Sequence, residues 1–179
     1  AMTTDILHEQ KILILDFGSQ YTQNIARKVR ESQVYCEIHP CTLPFDEIKA
    51  FNAKGIILSG GPASVQEEDS PLCDRKLFKL GTPILGICYG MQLITHILGG
   101  KVTPSPLGEF GRAELVLKEF SHLFEEVKSN SIVWMSHGDR ISNLPKGFKG
   151  IAFTDNSPMA AIEDPVAHIY GLQFHPEVV

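Results

Sequence analysis

Several things are missing from this chain of 179 residues. No apolar run approaches the roughly 20 residues that a membrane-spanning helix needs, so no membrane span is expected. No block of lysine and arginine stands out, and the net charge is −5. The densest basic cluster, Arg27-Lys28 with Arg30, falls at the end of a predicted helix, where cations suit the dipole. Direct binding to nucleic acid or to an anionic membrane surface is therefore not expected. None of Cys36, Cys41, Cys73 and Cys88 forms a Cys-x-x-Cys pair or has a histidine at zinc-ligand spacing. No metal site is expected, and reduced thiols in a cytoplasmic protein are the simplest account. The N-terminal residues carry no signal-peptide core. Repeats, low-complexity tracts and flexible linkers are absent too, so residues 1–179 read as one domain with a tail over 1–10.

What is present is the composition of a globular protein, with 43% hydrophobic and 21% charged residues. The first half alternates strand and helix. Continuous apolar runs at Lys11 to Asp16, Lys54 to Leu58 and Ile84 to Ile87 predict buried parallel strands, and Val34 to His39 predicts a fourth. Amphipathic patterns predict helices from Gln20 to about Ser32, Leu43 to Phe51 and Leu72 to Leu80, the last with Pro71 at its start. A fourth helix follows Cys88. This βαβαβαβα order predicts an α/β fold, an open and mostly parallel sheet flanked by helices on both faces. The second half reads as short strands around Val102, Ala113 to Leu117, Ile132 to Met135, Ile151 to Thr154, Met159 to Ile162 and His168 to Phe174. These are expected as antiparallel additions to the sheet.

The stretch from Ile84 to Leu98 is the most informative. A buried strand meets Cys88, a helical pattern follows, and Gly86 and Gly90 flank the cysteine two residues either side. This is the pattern of a nucleophile elbow, with cysteine in place of serine. The sulfur then sits at a helix N-terminus, where peptide dipoles favour an anion. A buried structural cysteine is the competing reading.

A nucleophilic cysteine needs a base and donors for an oxyanion. Of the seven histidines, His8 lies in the expected tail and His96 points away on the elbow helix. His137 and His175 are the attractive candidates. His175 and Glu177 are two apart in a segment read as extended, which puts both side chains on one face and lets the carboxylate orient the ring. A surface His-x-Glu pair is the alternative. Ser59-Gly60-Gly61-Pro62 follows directly on a predicted parallel strand, where a Gly-Gly turn can aim the Gly61 N–H into the ligand crevice beside the N–H of Tyr89. A plain tight turn is the competing reading, but a phosphate loop is not, because its Lys-Ser/Thr is missing.

Together these segments resemble the triad, or class I, glutamine amidotransferases, over nearly the whole chain. Gly86-Ile-Cys-Tyr-Gly-Met-Gln92, Trp134-Met-Ser-His-Gly-Asp139, Leu15-Asp-Phe-Gly-Ser-Gln-Tyr-Thr-Gln23 and Glu109-Phe-Gly-Arg-Ala-Glu114 look like the branch that serves GMP synthetases. The resemblance implies Cys88 as nucleophile, His175 as base and acid, Glu177 as orienting carboxylate, and Gly61 and Tyr89 as oxyanion donors. It implies that Gly60, Gln92 and the backbone of Ser136, His137 and Gly138 bind glutamine. Asp139 is a further candidate for that pocket or for contact with a synthetase domain. No cofactor is expected here. ATP and Mg2+ would belong to an ATP-pyrophosphatase partner, fused or separate, and a homodimer of the full enzyme is compatible with the resemblance. The branch commonly has a basic residue before Glu109, and here Gly108 stands there in Pro104-Ser-Pro-Leu-Gly108. Two rival readings are a stand-alone γ-glutamyl hydrolase, which would turn over γ-glutamyl peptides without a partner, and a non-catalytic regulatory domain. The regulatory reading would be expected to lack a triad member or an oxyanion glycine, and this sequence keeps them all.

Overall fold

The computed structural model describes residues 10–119, 121, 123 and 129–178. His8, His122 and all of the expected tail except Gln10 lie outside the described residues. Among the described residues, nine strands form one mixed sheet. The apolar runs of the first half become β1 (Lys11–Asp16), β3 (Gly55–Leu58) and β4 (Ile84–Ile87), with β2 (Tyr35–Pro40) at one edge. They pair in parallel as β2-β1-β3-β4, and β9 (Ile169–Leu172) extends the parallel set on the far side of β4. Beyond it the order continues as β8 (Ser157–Asp164), β7 (Lys149–Thr154), β5 (Lys101–Leu117) and β6 (Ser131–Asn143), all antiparallel to their neighbours.

Alternation along β1 explains how both faces are covered. Leu13 and Leu15 point into one apolar cluster with Ile48 of α2 (Phe45–Phe51) and Met91, Leu93 and Ile94 of α3 (Tyr89–Ile97). Ile14 points the other way, against Ile25 and Ala26 of α1 (Thr22–Glu31). A strand buried on both sides has no polar face to show, so its sequence runs continuously apolar. Helices on both faces of a largely parallel sheet are thus as expected.

Two expectations need correction. The helix predicted over Leu72 to Leu80 is only a 3-10 turn, Arg75–Lys79, capped by the Asp74 carboxylate, which accepts from the Lys76 N–H at 2.9 Å. Asp and Asn side chains compete for backbone donors in this way and favour short turns over longer helices. The short strands expected at Val102 and Ala113 to Leu117 are parts of one seventeen-residue strand. Pro104, Gly108 and Gly111 interrupt its pattern; a register shift between Pro104 and Glu109 absorbs the first two, and Gly111 stays in register opposite Met135. The strand expected at Ile132 to Met135 likewise continues through Asn143, carrying Ser136 to Asp139 with it.

The elbow is built from exclusions. Cys88 adopts φ 54° and ψ −107° between β4 and α3. A Cβ on Gly86 would stand 2.6 Å from the Gly90 carbonyl and from Ile94 Cδ1, and one on Gly90 would collide with the Leu58 carbonyl. Strand and helix therefore approach as closely as bare backbone permits. We expect Gly90→Ala to destabilise the chain by about 1–3 kcal/mol through overpacking. Gly138→Ala, whose Cβ would meet nothing within 4 Å, should change stability by under about 0.5 kcal/mol. Urea midpoints of the two variants check the contrast.

Candidate active site

Cys88 and His175 meet because β4 and β9 are neighbours. The ladder runs through Ile87 opposite Leu172 and continues one residue further, where the Cys88 N–H donates to the Leu172 carbonyl at 2.6 Å. Both side chains leave the carboxyl ends of parallel strands, the place where open α/β sheets bind ligands. Cys88 stands beside the His175 ring and raises its pKa. Its Nδ1 lies 2.6 Å from Glu177 Oε1, and the Tyr21 ring meets it edge-on at 5.3 Å. All three members of the predicted triad are buried.

The route by which His175 and Glu177 come together differs from the extended segment expected. β9 ends at Leu172, and Phe174 makes a single bridge to Met135. From His175 the chain turns, with the Val178 N–H donating to the His175 carbonyl at 3.2 Å. Proline at the second position presets such a turn, and Pro176 occupies it. The second oxygen of Glu177 has no hydrogen-bond partner among the described residues, so the carboxylate is committed to the ring.

Burial alone would pull an imidazole down. Interaction of the ring N–H groups with Cys88 and Glu177 and the negative charges of those two groups outweigh that, and His175 is raised to about 9. The ring is therefore an imidazolium at neutral pH, poised beside the sulfur as a proton donor.

A cavity of about 380 Å³ opens at Cys88. Gly61, Tyr89, Gln92, Ser136, His137, Gly138 and Asp139 all line it, together with Phe110 at its mouth. Gly60 is buried behind, where a Cβ would come within 3.0 Å of the His175 ring and 3.5 Å of Cys88 Cβ. Ser59 holds the Gly-Gly turn, accepting from the Phe17 N–H and donating to the Gly60 carbonyl, each at 2.9 Å. A Cβ on Gly61 would strike the Phe17 carbonyl, so only glycine fits there. Tyr89 opens α3, where an N–H has no preceding carbonyl to bond. The structure thus gathers every site residue predicted from the sequence around one cysteine. Among the described residues, no group of three His, Cys, Asp or Glu is arranged to hold a metal.

One residue at the site was missed. Gln173, buried behind the sulfur, directs its amide nitrogen at Cys88 Sγ at 3.6 Å, and its amide oxygen accepts from Gln92 Nε2 at 3.4 Å. It stands two residues before His175, so the spacing that pairs His175 with Glu177 could have revealed it. On the other side the Cys88 thiol reaches the Ser136 carbonyl at 3.3 Å.

Comparison with known proteins agrees with this geometry. The family model described as class-I glutamine amidotransferase matches residues 13–179. A GMP synthase (glutamine-hydrolysing) of Caldanaerobacter subterraneus is 53% identical over 96% of this chain and 34% of its own length. One of Brachyspira hyodysenteriae is 55% identical over 94% of this chain and 33% of its own. The chain thus spans about a third of the length of these curated relatives. A crystal structure from Thermoplasma acidophilum, provisionally assigned as one subunit of a GMP synthase, superposes with a TM-score of 0.86 at 32% identity, covering 96% of this chain and 86% of that one. With its elbow cysteine, its carboxylate-bound histidine and a family match over almost its whole length, the chain belongs to the class-I glutamine amidotransferases.

Proposed function

We propose that this chain is the glutaminase domain of a GMP synthase. In this reading it hydrolyses the side-chain amide of glutamine and supplies ammonia to a synthetase domain, fused or separate, which aminates XMP with ATP and Mg2+ in the cytoplasm. The observation that carries it is a buried thiol on a strained elbow, beside an imidazole that is itself fastened to a buried carboxylate, at the wall of a cavity of about 380 Å³. The names and greater length of the relatives support the synthetase partner.

In the proposed mechanism the Cys88 sulfur attacks the amide carbon of glutamine, and the oxyanion that forms is received by the N–H groups of Gly61 and Tyr89. The C–N bond then breaks as the His175 imidazolium gives its proton to the departing nitrogen, releasing ammonia and leaving a γ-glutamyl thioester. Acylation removes the negative sulfur, one of the two partners that hold the ring protonated. Having given up its proton, the imidazole can act as base, taking a proton from the water that attacks the thioester. Glutamate and the free sulfur result. Gly60, Gln92 and the Ser136–Asp139 segment are assigned to the amino-acid end of the substrate.

Two outcomes are expected. Cys88→Ala, assayed with the complete synthase, should abolish glutamine-dependent GMP formation while ammonia-supported formation persists, read by product chromatography. GMP formation from glutamine at the wild-type rate would sink the assignment. Robust turnover of γ-glutamyl peptides by the isolated chain would favour the hydrolase reading instead. Second, an NMR titration of His175 should show a midpoint near 9, falling in Glu177→Gln. Because this folded value exceeds the unfolded value of about 6.5, the stability it confers is complete below pH of about 6.5 and is lost as pH rises through the folded value.

A further inference from the structure

Four polar side chains from four strands meet inside the antiparallel half of the sheet, behind the cavity wall. Glu109 of β5, His137 of β6, Thr154 at the end of β7 and Ser157 at the start of β8 are all buried. The Glu109 carboxylate accepts from Thr154 Oγ1 at 3.1 and 3.0 Å and from Ser157 Oγ at 2.8 Å. His137 Nε2 stands 3.3 Å from Glu109 Oε1 and 3.1 Å from Ser157 Oγ. The other ring nitrogen, Nδ1, is 2.7 Å from the Asp139 carbonyl. A carbonyl can only accept, so this nitrogen carries a proton and donates it.

A buried carboxylate is costly unless its lone pairs are met. Here they are met, yet the triad chemistry makes no use of Glu109. What Glu109 holds is the wall of the cavity. The Asp139 carbonyl takes two donors, the His137 ring from behind and Gln92 Nε2 at 3.4 Å from the cavity side. Three residues earlier the Ser136 carbonyl receives the Cys88 thiol at 3.3 Å. Between them Gly138 has open space where a side chain would be, so it cannot anchor this stretch of wall. The buried ring of His137 anchors it instead. The register shift after Pro104, with Gly108 at φ 62° beside it, brings Glu109 opposite His137 in the ladder. The same shift leaves the next residue, Phe110, 70% exposed at the cavity mouth.

We propose that Glu109 is a positioning residue for glutamine binding: by fixing the His137 ring it sets the Ser136–Asp139 main chain at the spacing that receives the amino-acid end of the substrate. This rests on the glutamine reading above. Glu109 touches neither the sulfur nor the substrate, so its effect belongs in affinity and not in the reactivity of the thiol.

Two alkylating probes on the chain of 179 residues separate these quantities. A glutamine-shaped diazoketone reads the pocket through its half-saturating concentration, and iodoacetamide, which has no amino-acid end, reads the thiol alone. Glu109→Gln is expected to raise the half-saturating concentration about tenfold, the loss of one hydrogen bond to a charged group. The limiting rate of the diazoketone should stay within about threefold and the iodoacetamide rate within about twofold, since the reacting atoms are untouched. Glu109→Asp, which restores the charge, should recover part of the affinity. An unchanged half-saturating concentration overturns the proposal, and so does a parallel loss in both probes, which would mark collapse of the whole site. Should Glu109→Gln not fold, Ser157→Ala removes the shortest bond to Glu109 without lining the cavity. It should raise the half-saturating concentration roughly threefold, and no rise overturns the proposal. A wild-type chain that the diazoketone does not label saturably would overturn the glutamine reading itself, so the two failures are distinct.

Discussion

At Cys88 the backbone is held at φ 54°, ψ −107°, a conformation that costs a residue with a side chain on the order of 1–3 kcal/mol and persists only where its surroundings over-determine it. Those surroundings are the absent side chains of Gly86 and Gly90, the Leu58 carbonyl that seats against Gly90, and the ladder bond from Cys88 to Leu172. Were the strand and helix to separate by the width of a methyl group, the turn could relax and the thiol would swing away from its base. Close backbone packing of β4, α3 and β3 is thus the constraint on which the position of the sulfur depends, and the hydrophobic core around Met91, Leu93 and Ile94 keeps it in force.

Around that fixed point the site divides into two kinds of support. The parallel half of the sheet supplies the reacting groups at strand ends: the cysteine, the histidine and the Gly-Gly turn. The antiparallel half supplies the opposite wall through β6 and the buried polar cluster behind it. Gln173 and Gln92 sit at the seam, with amide groups that can donate and accept at once and so tie one half to the other.

The legible parts of the sequence were those where burial imposes a simple pattern. β1, β3 and β4 lie between two helical layers and read as unbroken apolar runs, and the elbow announces itself because glycine alone fits at Gly86 and Gly90. The antiparallel half was read piecemeal. Pro104, Gly108 and Gly111 break the alternation of β5, although its ladder with β6 accommodates the first two through a register shift and keeps Gly111 paired with Met135. The Asp74 cap competes for backbone donors and shortens the helix that the apolar spacing around Leu77 suggested. His137 was singled out and Glu109 stood in a recognised motif, but their pairing was not legible, since only the packing of four strands brings them face to face. The pairing of His175 with Glu177 was correctly anticipated on an incorrect ground, because a proline turn delivers the same proximity as an extended strand.

β9 lies in the middle of the sheet, between β4 and β8, although among the described residues it is the last of nine strands in sequence. A polypeptide emerging from a ribosome carries β1 to β4 and the elbow well before β9, because all of them lie within residues 11–97. Cys88 then has no His175 beside it until residues 169–177 have been made and set between β4 and β8. Long-range insertion of this kind is slow relative to helix formation. In the order of synthesis, therefore, Cys88 and His175 can come together only after residues 131–143, which carry the opposite wall of the cavity, have been made.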